Sequence, residues 1–349
     1  MQILQIIYDN IGVARCLVKG DSGKIYNTNI DLDENRCWCS CDANVYNKSV
    51  ACKHIKFVAP LLEYSKMVNK ISQLDKLSTG STTIDNLLGG GIPYGTITTV
   101  FAEPKVGKSM LSYQIGIGNI SNTKLKTLYI DTEGIRKQDF VSIVTKFNSR
   151  FNVPTKELFE KFEYTTTLGD IKLKSIQKLF QIFGIMPMIE MSKGGRYTVQ
   201  FETCAPIIKE EQWKNYGMII IDSMTAPLKM AIGSNTANLP TRAQLTERLF
   251  GILIEIAMRH NIAVVVNHHC SVDPLNLFGR DFGKAWGGDP ILYNSKYALL
   301  IIDSDAKTRK ETNWGLETRR IMIIRRPDEQ DNDIKYPVRL KKDFGYCDS

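Results

Sequence analysis

Eight consecutive residues carry the clearest chemistry in this chain of 349: Ala102-Glu103-Pro104-Lys105-Val106-Gly107-Lys108-Ser109. Their spacing is that of a phosphate-binding loop, with Ala102 where the pattern has its first glycine. Such a loop turns backbone N–H groups and a helix N-terminus toward anionic oxygens. Lys108 then reaches the terminal phosphates, and the Ser109 hydroxyl ligates Mg²⁺. Ala102 removes no ligand, and its methyl group strains the loop only if the backbone there needs φ > 0. ATP binding is therefore expected to survive. A second piece of the same chemistry is Met218-Ile219-Ile220-Ile221-Asp222-Ser223, an apolar run ending in an acid. Placed opposite Ser109, Asp222 would hold the Mg²⁺ shell through water.

A different chemistry lies near the start. Cys39-x-Cys41 and Cys52-x-His54 offer three thiolates and an imidazole, the donor set of a closed tetrahedral Zn²⁺ site. Cys37 competes, because Cys37-x-Cys39 repeats the spacing. With four protein ligands no position is left for water, so the expected zinc is structural. Metal binding of this kind contributes on the order of 10 kcal/mol to folding, which a small module with a thin core needs.

The elements around these residues can be read from periodicity. Residues 1–36 alternate apolar and polar positions with a turn at Lys19-Gly20-Asp21-Ser22-Gly23, which predicts short antiparallel strands. An apolar-periodic stretch predicts a helix over 55–67. From about residue 80, strands at 96–101, 126–131, 218–222, 262–267, 296–302 and 319–325 alternate with helices at 107–118, 136–149, 155–163, 206–215 and 241–260. That alternation predicts an α/β domain around a mostly parallel sheet. Between two of the helices, 188–202 reads as a β-hairpin turning at Lys193-Gly194-Gly195. The expected boundaries are a zinc module over 1–66, a connector over 67–79 and an ATPase core over 80–349.

Composition sets outer bounds. With 43% hydrophobic and 23% charged residues, the chain can build a sizeable core. No apolar run approaches the ~18 to 20 residues of a membrane helix. The N-terminus lacks signal-peptide features, so a cytoplasmic site is expected: at the nucleoid in a prokaryote or archaeon, in the host cytoplasm for a virus. The net charge of +8 suits a polyanionic partner without proving one. Four of the eight cysteines fall between Cys37 and Cys52, a local cluster rather than a disulfide framework.

Two resemblances sharpen these expectations. Cys39-x-Cys41-Asp42 followed by Cys52-Lys53-His54 resembles the SWIM zinc-binding motif, which implies that Cys39 and Cys41 rather than Cys37 are ligands. It also implies a module that binds DNA or protein. The run Leu77-Ser78-Thr79-Gly80-Ser81-Thr82-Thr83-Ile84-Asp85-Asn86-Leu87-Leu88-Gly89-Gly90-Gly91-Ile92-Pro93-Tyr94-Gly95 resembles the opening of the RadA-type recombinase core and its KaiC-like relatives. This implies a RecA-like P-loop NTPase fold. Leu128-Tyr129-Ile130-Asp131-Thr132-Glu133-Gly134 resembles the recombinases' second-strand motif, making Glu133 the implied general base. Val264-Val265-Val266-Asn267-His268 stands where those proteins have a strand ending in Asn-Gln, so His268 takes the place of their γ-phosphate sensor. His260 and His269 are read as structural or surface histidines.

The resemblance also implies two DNA loops. The first maps to about 228–242 and ends in Leu239-Pro240-Thr241-Arg242, with Arg242 as a phosphate contact. The second runs from Cys270 to Trp286. There Arg280 and Lys284 interleave with Phe278, Phe282 and Trp286, a pattern suited to single-stranded DNA. The implied activity is a DNA-stimulated ATPase in homologous recombination or repair, performing strand exchange or assisting a recombinase as its paralogue. Implied partners are single- and double-stranded DNA, and further subunits in a filament, a ring or a hetero-assembly with another recombinase. No clean Phe-x-x-Ala tether appears in the connector. The competing expectations are a KaiC-like or helicase-like ring motor, and a non-hydrolysing adaptor that binds partners through its zinc module.

Overall fold

The computed structural model describes residues 1–8, 13–31, 36–41, 52–58, 76–167, 172–233, 235–270, 291, 294–327 and 335–348. The chain divides into two compact units, Met1–Leu74 and Asp75–Ser349.

In the first unit, β1 (Gln2–Tyr8), β2 (Val13–Lys19), β3 (Ile25–Asp31) and β4 (Arg36–Cys39) form an antiparallel sheet in chain order. The turn between β2 and β3 closes with the Gly20 N–H donating to the Lys24 carbonyl at 2.8 Å, and Gly23 takes φ 79°. Strand alternation brings Cys16 and Val18 to one face. They pack with Ile30, with Ile55 and Val58 of a short helix over 53–58, and with Cys39, Cys41 and Cys52. The remainder of the helix expected over 55–67 lies outside the described residues.

In the second unit, β5 (Lys76–Leu77) and β6 (Ile92–Pro93) form a small ribbon beside the main sheet. The main sheet contains β7 (Ile97–Ala102), β8 (Lys126–Asp131) and β9 (Phe162–Thr166). A separate hairpin, β10 (Ile185–Met191) and β11 (Tyr197–Thr203), follows. The sheet then continues with β12 (Tyr216–Asp222), β13 (Ala263–His269), β14 (Tyr297–Asp303), β15 (Thr318–Arg325), β16 (Tyr336–Lys341) and β17 (Gly345–Cys347). The nine strands lie in the order β17-β16-β15-β14-β7-β13-β12-β8-β9. From β14 to β9 all neighbours are parallel, whereas β15, β16 and β17 pair antiparallel at the other end.

The burial of β12 explains its apolar run. All seven of its residues are buried, because helices cover both faces of the sheet. One face carries Ile219, Ile221, Val264 and Val266 against the helices Lys172–Gln181, Thr225–Ile232 and Leu239–His260. The other face lies against the helix Lys108–Thr123, whose Gly116 lets the Phe162 ring come within 2.9 Å of where a Cβ would stand. The hairpin lays Ile189, Tyr197, Val199 and Phe201 on the first of these two cores.

Several elements differ from their sequence reading. The helix expected over 206–215 is a 3-10 turn over Glu210–Asn215. Before it, the N–H groups of Ile207 and Ile208 donate to the Gln181 and Ile182 carbonyls, so these donors bond outside any helix of their own. The strands β16 and β17 carried no clear periodicity, being short and half polar.

Candidate functional site

The phosphate loop joins the C-terminal end of β7, the central strand of the nine, to the helix Lys108–Thr123. Ala102 is still strand, pairing with His269 on one side and Ile301 on the other, and it is fully buried. The positive φ angles of the loop fall later, at Lys105 (68°) and Gly107 (122°). The methyl group of Ala102 therefore strains nothing, because the strand conformation suits any residue. Lys108 is 6% exposed, and its ammonium donates to the Ala102 and Glu103 carbonyls at 3.2 and 3.3 Å. Burial pulls its pKa down, while the charges of Asp222 and Glu133 act in the opposite direction.

Asp222 ends β12 across from the loop. Its carboxylate accepts hydrogen bonds from the Tyr129 hydroxyl at 2.5 Å, from Asn267 Nδ2 at 2.9 Å and from the Ser109 hydroxyl. Burial raises its pKa against those three donors. A buried carboxylate beside a serine hydroxyl is the donor pair that Mg²⁺ takes at a bound triphosphate, so the residues fit the ion.

Glu133 reaches the same place from β8. The Asp131 carboxylate shapes its loop, accepting the N–H groups of Glu133 and Gly134 at 2.9 Å and of Ile135 at 2.8 Å. The Tyr164 hydroxyl also donates to Asp131, at 2.6 Å. Thr132 and Ser223 bond reciprocally and tie this loop to the end of β12. The hydrogen bond from His269 Nε2 to the Glu133 carboxylate, 2.6 Å long, is the main cause that takes the Glu133 pKa down to about 2. Glu133 is thus ionised throughout the neutral range. Together with Pro104, Gly107, Lys108 and Ser109, Glu133 and His269 line a cavity of about 320 Å³.

The structure does not bring His268 to this cavity. Strand alternation decides the matter, since successive residues of β13 face opposite sides of the sheet. Asn267 and His269 face the phosphate loop, with Asn267 also donating to the Ser112 hydroxyl at 2.8 Å. His268 faces the other core, fully buried, with its ring 5.5 Å from that of Phe101 and 6.2 Å from that of Phe250. Desolvation pushes its pKa down to about 3, so the ring is neutral. The sequence reading missed His269. Its signal was the odd-even pattern that pairs it with Asn267.

The segment expected to form the first DNA loop is largely helical, since Thr225–Ile232 and Leu239–His260 leave only a short connector between them. Arg242 points inward: it is 4% exposed, and its Nη2 donates to the Asn235 carbonyl at 3.2 Å. Phe278, Arg280, Lys284 and Trp286 lie outside the described residues.

In the first unit, Cys39, Cys41, Cys52 and His54 bring one ligand atom each into a group spanning at most 4.8 Å, and all four are buried. His54 Nδ1 lies 3.7 Å from Cys39 Sγ and 4.0 Å from Cys52 Sγ, with the Tyr26 ring stacked on the imidazole at 4.1 Å. Spacings of this size fit a tetrahedral Zn²⁺ with Zn–S near 2.3 Å and Zn–N near 2.0 Å. The Cys37 side chain lies outside the described residues.

Comparison with known proteins places this geometry. Residues 70–185 match the Rad51 family model. The chain is 24% identical over 245 residues to the DNA repair and recombination protein RadB of Methanococcoides burtonii, covering 70% of this chain and 91% of that protein. It is 25% identical over 230 residues to RadA of Metallosphaera sedula, covering 64% of this chain and 60% of the other. A meiotic recombination protein DMC1 homolog of Arabidopsis thaliana is 23% identical over 240 residues, with 67% and 61% covered. The chain thus spans about three fifths of these last two relatives. A crystal structure of the RadB recombinase superposes with a TM-score of 0.54 at 20% identity, over 78% of this chain and 99% of that one. The second unit has the fold of a RecA-like recombinase core.

Proposed function

We propose that this chain is an ATP-hydrolysing, DNA-binding protein built on a Rad51/RadA-type recombinase core, acting in homologous recombination and DNA repair by strand exchange or as a paralogue assisting another recombinase. One observation carries the reading. Lys108, Ser109 and Glu133 line one cavity beyond the C-terminal ends of β7 and β8, and Asp222, at the end of β12, meets it through the hydrogen bond from the Ser109 hydroxyl.

Each residue has a role that its geometry supports. Lys108 exchanges its two loop carbonyls for phosphate oxygens when nucleotide binds. Ser109 and Asp222 hold Mg²⁺, which supplies charge neutralisation on the phosphates. Glu133, ionised and held by His269, orients and polarises the attacking water. His269 takes the phosphate-sensing place first read at His268, since its ring touches both the cavity and Glu133.

The remaining assignments rest on sequence pattern and on the relatives. Phe278, Arg280, Lys284 and Trp286 contact single-stranded DNA. Arg242 contacts phosphate only if the connector 233–238 rearranges. Cys39, Cys41, Cys52 and His54 hold a structural Zn²⁺ in a module that binds DNA or a partner protein. RadA and RadB are named as recombination proteins, and assembly with further subunits is proposed here by that likeness. No helix among the described residues is long and apolar enough to cross a membrane. A cytoplasmic site of action is proposed.

The test is ATP turnover with and without single-stranded DNA, together with electron microscopy of the nucleotide-bound protein. Turnover should rise with DNA, and DNA affinity should fall as salt rises. Glu133→Gln should lower turnover by roughly 10²- to 10⁴-fold while nucleotide still binds. Filaments favour the recombinase, whereas closed rings that unwind a tailed duplex favour a helicase-like motor. Unstimulated turnover with no polymer would sink the proposal.

A further inference from the structure

The phosphate loop is held from behind by the C-terminal strands. Arg319 on β15 donates from Nε to the Val106 carbonyl at 2.9 Å. Its Nη1 is anchored in turn on the Leu316 and Thr318 carbonyls at 2.8 and 2.9 Å, and Asp303 lies 3.5 Å away. The Tyr346 hydroxyl approaches the same Val106 oxygen at 3.5 Å. Tyr346 is fully buried, and its backbone is locked by Gln114, which accepts from the Tyr346 N–H at 2.6 Å and donates to its carbonyl at 3.0 Å. A Cβ on Gly107 would stand 2.6 Å from both Leu340 Cδ2 and the Tyr346 hydroxyl, so β16 and β17 touch the loop backbone itself.

We propose that Arg319, seconded by Tyr346, is a positioning residue that fixes the Val106–Gly107 peptide so that the Gly107 N–H faces bound phosphate. In a planar trans peptide the C=O and the following N–H point in opposite directions. Holding the Val106 oxygen toward Arg319 therefore directs the Gly107 N–H to the other side, where Gly107 lines the cavity. The anchor is needed because Gly107, at φ 122°, has the freedom of any glycine to turn its peptide over. Arg319 touches no substrate, and it acts through the loop. The inference rests on the nucleotide-site reading above.

The experiment titrates a fluorescent ADP with Mg²⁺ into the full chain and into Arg319→Ala, Arg319→Lys and Tyr346→Phe, alongside kcat and KM for ATP. Arg319→Ala should weaken nucleotide binding about tenfold or more, as expected for loss of a charge-assisted hydrogen bond. Arg319→Lys keeps the charge without the fork and should fall between the two. KM should rise while kcat stays within about twofold, the signature of lost ground-state binding. Should Arg319→Ala fail to fold, the lysine and phenylalanine variants carry the test. Wild-type affinity in the arginine variants, or a fall in kcat at unchanged affinity, overturns the proposal. A wild-type chain that binds no ADP overturns the nucleotide-site reading itself, and this inference with it.

Discussion

Two adjacent histidines show how far one position along a strand changes chemistry. His269 and His268 are the same residue type, yet one touches Glu133 and the other is sealed between aromatic rings. His269→Ala should slow ATP turnover by roughly ten- to a hundredfold, because Glu133 loses the group that fixes its geometry. His268→Leu should leave the catalytic constants close to wild type and instead change how stability depends on pH. His268 is neutral in the fold, with its pKa down at about 3, and protonates near 6.5 once unfolded. Between those values the unfolded chain binds the extra proton, so stability is fully present above about pH 6.5 and falls as the medium is acidified. The slope is up to about 1.4 kcal/mol per pH unit. Denaturant unfolding between about pH 7.5 and about pH 5.5 should show a flatter dependence in His268→Leu than in wild type. Equal slopes would contradict the assignment. The motif order drew attention to His268, and only the alternation of β13 separates the two rings.

At the scale of elements, the site depends on how strand ends are tied to each other. The loop after β8 is shaped by one carboxylate, Asp131, which accepts three backbone N–H groups and a tyrosine hydroxyl. Asp131→Ala strands those donors and should lower the stability of the core by about 1–3 kcal/mol. Turnover should drop as well, because Glu133 sits on that loop, and denaturant unfolding with steady-state kinetics checks both effects. Unchanged turnover in the folded variant would mean that Glu133 is positioned from elsewhere. The strands flanking the cavity were legible because their apolar runs are buried on both faces. The hairpin was legible from the turn at Lys193-Gly194-Gly195. The C-terminal pair β16 and β17 escaped the sequence reading, since their meaning lies in contacts with the distant phosphate loop and helix 108–123.

The whole molecule joins two units with different sources of stability. The core has a large apolar interior, while among the described residues the first unit packs a few apolar side chains around a Cys/His cluster. Cys52→Ser should reduce bound zinc from about one ion per chain to near none, measured by elemental analysis, and should unfold the first unit selectively. ADP binding by the core should persist, whereas zinc retained in the variant would move the ligand set toward Cys37. Donor types, their order and the α/β alternation could be read directly from the chain, because a motif's chemistry depends on neighbours a few residues away and on the period of its element. That covered the phosphate loop, Asp222 and the cysteine cluster, whereas Glu133 was implied by the resemblance of its strand to the recombinase motif. Tertiary structure alone decided that Ala102 lies in unstrained strand, that Arg242 is turned inward and that His269 is the partner of Glu133. The physical reason is separation along the chain. The His269–Glu133 contact spans 136 residues and the Arg319–Val106 bond 213, so each exists only because strand order and register bring those backbones side by side.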